Sequence, residues 1–148
     1  MSHFSNDQQH ILDATEAFVK EQMADDYTGH DWLHIERVRR LARMIMAEHP
    51  HPFDAFVVEL AALLHDIGDW KFSGSVDAGS HASTAFLSRF DIDTKIIQHV
   101  ADIVGSTSFK GAGVPDCMTT EEGKIVQDAD RLDAIGAIGV ARVFAYGG

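Results

Sequence analysis

The chain has 148 residues, of which 45% are hydrophobic and 24% are charged. This balance predicts one globular domain with an apolar core of its own and excludes an intrinsically disordered chain. Lys and Arg number 12 against 23 Asp and Glu, which gives a net charge of −11. Because such a surface repels phosphates, a nucleic acid polymer is excluded as a bulk partner. A small anionic ligand would need a bound cation inside its pocket.

The first seven residues have neither the basic start nor the apolar core of a signal peptide. A single cysteine, Cys117, excludes an intramolecular disulfide bond. The longest apolar stretch, residues 55–64, contains Glu59 and is too short to span a bilayer. These features predict a cytoplasmic protein that does not bind a membrane.

Apolar residues recur at helical spacing along almost the whole chain, and no segment alternates convincingly with a period of two. The fold class is therefore predicted to be all-α, a single helical bundle. The first helix is predicted over residues 7–23. The second begins near Asp31 and ends before Pro50. The third covers residues 54–67, and Gly68 closes it.

The second half of the chain continues the helical pattern. Ser80 is predicted to cap a fourth helix that ends at residue 90, and Asp93 to cap a fifth over residues 94–104. After a loop over residues 105–119, a sixth helix begins at Thr120, with two glutamates near the positive end of its dipole.

The last predicted helix, residues 134–146, is apolar on nearly all sides, and nothing after it in the chain covers its outer face. Two interpretations stay open. The single domain of residues 1–148 lacks C-terminal helices that belong to the complete protein, or this helix pairs with a second copy in a homodimer.

Four side chains of the metal-binding type lie on or at the ends of three of these helices. His65 and Asp66 stand side by side where the apolar third helix ends. His34 lies on the second helix, and Asp130 lies on the sixth. Imidazole nitrogens together with carboxylate oxygens suit a divalent transition metal better than calcium. The cluster would then sit in the core of the bundle and fasten three helices together.

The set His34, His65, Asp66 and Asp130 has the H…HD…D form of the HD-domain metal-dependent phosphohydrolases, and the sequence resembles that superfamily. The likeness is carried by GHDWLHIERV at residues 29–38, LLHDIGDWKF at 63–72 and IVQDADRLDAIG at 125–136. These segments look like those of a subgroup of small bacterial HD hydrolases, some of which are nucleoside triphosphate pyrophosphohydrolases.

The resemblance implies one divalent metal on those four ligands, either a transition metal (Mn, Co, Ni, Fe or Zn) or Mg. It also implies hydrolysis of a phosphate ester or anhydride in a small phosphorylated molecule, most simply a nucleotide. Asp69 occupies the place where related HD enzymes often carry a glutamate, so it is predicted to act on the attacking water or the leaving oxygen. A capping carboxylate just past Gly68 is the alternative.

Three further residues are predicted to contact substrate phosphate: Lys71, His81 and Lys110. Lys71 could equally be a solvated surface lysine. His81 falls where HD enzymes with two metals supply another ligand, but the further histidine expected near residues 106–107 is absent. One metal is therefore predicted, with His81 facing phosphate or serving as an ordinary polar residue at a helix start.

Two other classes of function stay open on the sequence alone. Some HD-like proteins hold two irons and oxidise a substrate with dioxygen, which would require additional ligands such as His81 and His99. A metal-stabilised module that binds nucleotide without turnover would need the same four ligands as the hydrolase. Metal content and product analysis would separate these classes.

Overall fold

The fold comes from a computed structural model, which describes residues 4–24, 31–68, 77–107 and 117–147. Seven α-helices make up most of this described part, and no strand occurs within it. In chain order they are α1 (Asn6–Gln22), α2 (Trp32–Glu48), α3 (Ala55–Leu64), α4 (Ala78–Leu87), α5 (Thr94–Thr107), α6 (Glu121–Asp133) and α7 (Ala137–Gly147). The predicted all-α class is confirmed. No described helix combines the length and the apolar character that a bilayer crossing requires.

Helix α3 lies at the centre of the bundle. Every residue from Phe56 to Leu64 is buried, and the helix packs against α1, α2, α5 and α6. A helix that is apolar on all sides can be accommodated only in such a position. Helices α2 and α6 pack against each other along their length, and α4 packs against α5. This arrangement brings the start of α2, the end of α3 and the end of α6 to one place.

The charged residue of α3, Glu59, is only 2% exposed. Its carboxylate accepts hydrogen bonds from Arg39 and Arg43 of α2. Arg39 also donates to Glu16 of α1 at 2.8 Å. The cluster holds two positive and two negative groups, so the buried charge of Glu59 is compensated. The cluster ties α1, α2 and α3 together and runs from the buried Glu59 to the largely exposed side chain of Arg43.

Helix ends differ from the predicted ends by a few residues. Helix α3 stops at Leu64, three residues early, and residues 65–68 form a turn closed by Gly68 at φ +68°. Helix α4 begins at Ala78 instead of after Ser80, and Asp77 precedes it without a side-chain capping hydrogen bond. The cap predicted at Asp93 is present, and the side chains of Asp31 and Thr120 also accept hydrogen bonds from backbone N–H groups at the starts of α2 and α6.

Helix α7 begins three residues later than predicted, because Gly136 at φ +95° turns the chain after α6. It leaves large apolar side chains open to solvent. Val143 is 71% exposed and Phe144 is 75% exposed. Ile135, in the turn before α7, and Ile138 are exposed as well. The apolar last helix predicted from the sequence thus presents an uncovered face within the described chain.

Candidate metal centre

Three helices position the four predicted ligands. His34 lies in the first turn of α2, where its backbone N–H donates to the capping carboxylate of Asp31 at 3.0 Å. His65 and Asp66 directly follow α3, and Asp130 lies in the last turn of α6. The two histidines are buried, whereas the two aspartates are half-buried. The carboxylate side of the cluster is therefore the side that solvent and a ligand can reach.

The donor atoms of these side chains converge. The Nε2 atoms of His34 and His65 lie 3.2 Å apart. Asp66 approaches these two nitrogens at 3.3 and 3.8 Å, and Asp130 approaches them at 3.3 and 3.6 Å. First-row divalent ions bind such atoms at about 2.0–2.2 Å, so neighbouring ligand atoms around one ion are about 3 Å apart or slightly more. The observed spacing fits a single ion.

The outer nitrogen of each imidazole has a hydrogen-bond acceptor. His34 Nδ1 lies 2.7 Å from Asp133 Oδ2, and His65 Nδ1 lies 2.9 Å from the carbonyl oxygen of Ala62. Both partners only accept, so each Nδ1 carries its proton and Nε2 of the neutral ring carries a lone pair. Both lone pairs then lie beside the carboxylates of Asp66 and Asp130, and an Nε2 atom with a free lone pair is what a metal-binding histidine requires.

The electrostatics of the cluster favour a cation. Burial by itself lowers the pKa of His34, but hydrogen bonds to Asp130 and Asp66 outweigh burial and raise that pKa to about 10. Burial also works against the charged form of Asp130, yet hydrogen bonds from His34 and His65 hold its pKa well below the usual range. For His65, burial is again outweighed, chiefly by the charge of Asp66, and the pKa is raised. A divalent ion would supply the positive charge that the carboxylates favour.

The sequence did not reveal the group that contacts His34 on the side away from the cluster, which is Asp133. The carboxylate of Asp133 also accepts two hydrogen bonds from Arg37, at 2.7 and 3.0 Å. Burial raises the pKa of Asp133, but hydrogen bonds from Arg37 and His34 bring it below the usual value. The spacing of these residues along their helices did give an indication in the sequence. Arg37 follows His34 by three residues, and Asp133 follows Asp130 by three, so each pair shares one helix face.

The predicted residues outside this cluster are placed only in part. His81 lies exposed in the first turn of α4. His99 is half-buried on α5, with its Nε2 atom 3.7 Å from Glu122 of α6, so it does not lie on an open helix surface. Three other predicted residues lie outside the described part of the chain: Asp69, Lys71 and Lys110.

Within the described ranges, His34, His65 and Asp66 form the one group of three potential ligands whose donor atoms all lie within 4.8 Å of one another. Asp130 joins this group through its contacts with both imidazoles. His81 and His99 do not belong to it. Among the described residues, this cluster is therefore the one group whose geometry could hold a metal ion.

The first turn of α4 packs directly on the turn that carries the ligands. A Cβ on Gly79 would lie 2.5 Å from the carbonyl oxygen of Ile67, and a Cβ on Gly68 would lie 3.1 Å from the carbonyl carbon of Ala78. Only glycine allows the two backbones to approach this closely. His81 follows Gly79 by two residues, so it stands at the end of α4 that abuts the metal centre.

Comparison with known proteins agrees with this arrangement. The family model of the HD domain matches residues 32–135. Protein YpgQ of Bacillus subtilis (strain 168) is 39% identical over 132 residues, which are 88% of this chain and 63% of YpgQ. The chain therefore spans less than two thirds of that relative's length.

Solved structures are similar over nearly the whole chain. An HD-superfamily hydrolase from Bacillus thuringiensis has a TM-score of 0.74 and 39% identity, covering 95% of this chain and 66% of that one. The crystal structure of YpgQ in complex with ADP has a TM-score of 0.71 and 38% identity, covering 93% of this chain and 67% of that one. The family match spans most of the chain and includes all four residues of the cluster, and the chain therefore belongs to the HD-domain family.

Proposed function

We propose that this protein is a divalent-metal-dependent phosphohydrolase that cleaves a phosphate ester or anhydride in a small phosphorylated molecule, specifically a nucleotide. The observation that carries the proposal is the convergence of the His34 and His65 nitrogens with the carboxylates of Asp66 and Asp130, at 3.2–3.8 Å. The half-buried carboxylate side gives a substrate access to the ion. These four residues would hold the ion.

Two relatives support the chemistry and the substrate class. The similar protein from Bacillus thuringiensis is described as a hydrolase of this superfamily. YpgQ binds ADP in its crystal structure, and at 39% identity a nucleotide is the natural first substrate class to test here. Both relatives are longer than this chain, which covers 63% of YpgQ and 66% of the Bacillus thuringiensis protein. We therefore propose the activity and the substrate of this chain and do not transfer them from the relatives.

The net charge of −11 opposes the binding of an anionic substrate, so a bound cation would assist binding as well as reaction. A bound divalent ion neutralises a phosphate oxygen and lowers the pKa of a coordinated water. The protein's own residues must then orient the phosphate and move a proton. We assign the proton to Asp69, and we assign contacts with phosphate oxygens to three residues: Lys71, His81 and Lys110. The position of His81 beside the ligand-bearing turn supports its place in this set.

The proposal is tested by product analysis. Protein stripped of metal is resupplied with Mn²⁺, Co²⁺, Ni²⁺ or Mg²⁺ and incubated with nucleoside mono-, di- and triphosphates, and the products are resolved by chromatography. Pyrophosphate together with a monophosphate would establish a pyrophosphohydrolase, and orthophosphate from monophosphates would establish a nucleotidase. Nucleotide bound without any product would replace the enzyme by a binding module, and no binding and no product would reject nucleotides altogether.

Variants show whether an observed activity comes from this site. Asp66→Asn keeps the shape of the side chain but removes a charged ligand, so we expect its activity to fall to the level of the metal-stripped protein. Asp128→Asn makes the same change at an exposed position of α6 and should leave the rate unchanged. Equal rates in the two variants would place the activity elsewhere.

A further inference from the structure

We infer that Asp133 and Arg37 are positioning residues for the metal, which act by setting the protonated nitrogen and the orientation of His34. The inference rests on the proposed function, because it concerns the same site. It adds two residues that do not touch the ion, and it makes the affinity for the ion depend on them.

Contacts of Asp133 carry the first step. Its side chain is 4% exposed, and both of its oxygens are engaged. Oδ1 accepts from Arg37 Nε, and Oδ2 accepts from Arg37 Nη2 and from His34 Nδ1. The two parallel bonds from Arg37 fix the plane of the carboxylate. The direction of the third bond, and with it the orientation of the His34 ring, is then fixed as well.

A negative charge at the position of Asp133 is unfavourable unless another group compensates it. It is the last residue of α6, where the helix dipole disfavours a negative charge. It is also buried, which penalises any charge that lacks a partner. The guanidinium of Arg37 compensates both effects. This pair joins α2 to α6, the two helices that supply His34 and Asp130.

The two metal-facing histidines differ in what holds them. The Nδ1 atom of His65 faces a backbone carbonyl, that of Ala62, which belongs to α3 itself. The Nδ1 atom of His34 faces a side chain 99 residues away in the sequence. The orientation of His34 therefore depends on a side chain from another helix, which a single substitution can change. A carboxylate at Nδ1 also makes Nε2 a stronger electron donor to a metal than a carbonyl does.

The test measures metal affinity and needs no substrate. Zn²⁺ binding is measured by competition with a chromophoric chelator for the wild type, Asp133→Asn, Arg37→Lys and the exposed control Asp128→Asn. We expect Asp133→Asn to bind Zn²⁺ about 10–100-fold more weakly, as other losses of such supporting groups do. Arg37→Lys keeps the positive charge but cannot form the two parallel hydrogen bonds of the guanidinium. Its Zn²⁺ affinity should therefore fall by a smaller factor. Asp128→Asn should match the wild type.

A second readout separates positioning from a loss of stability. The visible absorption of the Co²⁺-loaded protein reports the geometry around the ion, so we expect it to change in Asp133→Asn and to stay the same in Asp128→Asn. If Asp133→Asn does not fold, Arg37→Lys decides the matter by the same two measurements. Wild-type affinity and an unchanged Co²⁺ spectrum in a folded variant would overturn this inference alone. A wild type that binds no metal would overturn the proposed function, and the inference with it.

Discussion

A buried imidazole is stable only when both of its nitrogens have partners, and His34 is 1% exposed. Its Nδ1 atom has Asp133. Its Nε2 atom faces the ring of His65 and the carboxylates of Asp66 and Asp130, so the cluster is satisfied either by protons or by a cation. Because the unfolded chain cannot assemble these groups, binding of an ion is coupled to folding.

This coupling gives a prediction about stability. Zn²⁺ should raise the free energy of unfolding, by about 2.7 kcal/mol when the free ion is at 100 times its dissociation constant. Urea unfolding with Zn²⁺ and with a chelator measures the difference. Asp66→Asn should lose most of this gain, whereas Asp128→Asn should retain it. A full gain in Asp66→Asn would show that Asp66 does not hold the ion.

At the scale of the helices, Glu59 holds α2 against α3. Glu59→Gln would leave Arg39 and Arg43 without the carboxylate that both of them bind. Arg43 is 53% exposed and Arg39 keeps its contact with Glu16, so the loss is that of charged hydrogen bonds, about 1.5–3 kcal/mol of the free energy of unfolding. Urea unfolding checks this, with the exposed Glu36→Gln of α2 as control, expected within about 0.5 kcal/mol of the wild type. A similarly small effect for Glu59→Gln would mean that the cluster is not needed.

The contact between α4 and the ligand-bearing turn yields a second prediction at this scale. Gly79→Ala must push the backbone of α4 away from Ile67, because the added Cβ would lie 2.5 Å from a carbonyl oxygen. Gly105→Ala on α5 has room, since its Cβ would meet Ser80 only at 3.7 Å. We expect Gly79→Ala to lower the melting temperature and weaken Zn²⁺ binding. We expect Gly105→Ala to be neutral or to stabilise by up to about 1 kcal/mol.

Gly105→Ala serves as the matched control, because it makes the same substitution one helix away. If the two alanine variants have the same melting temperature and the same Zn²⁺ affinity, the close approach at Gly79 is not needed to hold the start of α4 against the ligand-bearing turn.

Helix by helix, the sequence predicted more of the fold than of the contacts between helices. Apolar spacing located α2, α3 and α6 because each buries a continuous face, and this is a local property of the chain. The early end of α3 was less predictable, since the apolar pattern continues through Ile67 after the helical hydrogen bonding has stopped. Glu59 stood out in the sequence as a charge in an apolar stretch, but its arginine partners lie 16 and 20 residues away.

The support for His34 escaped prediction for the same reason. Asp133 lies 99 residues from His34 and 96 from Arg37, and the three-residue spacing within each helix does not show which faces of α2 and α6 meet. The resemblance to HD proteins identified the four candidate ligands because they recur in a known order. It assigned no role to Arg37 or Asp133, although both lie within the matching segments. Packing between α2 and α6 was needed to reveal that contact.

At the scale of the whole molecule, the chain combines a strongly negative net charge with exposed apolar side chains. A net charge of −11 makes molecules repel one another, while α7 and the residues before it expose several large apolar side chains. A groove of about 390 Å³ on α2, lined by Leu41, Met44 and Ile45 together with Leu132, adds apolar surface. Exposed apolar surface of this kind promotes association between molecules. The repulsion between their negative charges opposes association, but salt screens that repulsion.

The apolar face of α7 can therefore be changed without loss of stability. In the double variant Val143→Gln and Phe144→Gln, the side chains being replaced are 71% and 75% exposed, and glutamine suits a helix well. We expect the free energy of unfolding to stay within about 0.5 kcal/mol of the wild type, whereas Leu60→Ala in the centre of α3 should lower it by about 2–5 kcal/mol. Binding of a hydrophobic dye should fall. We propose that this face also mediates any self-association, in which case sedimentation equilibrium should show less of it in the variant than in the wild type. A loss of more than about 1 kcal/mol at a concentration where the wild type is monomeric would show that the protein itself buries this face.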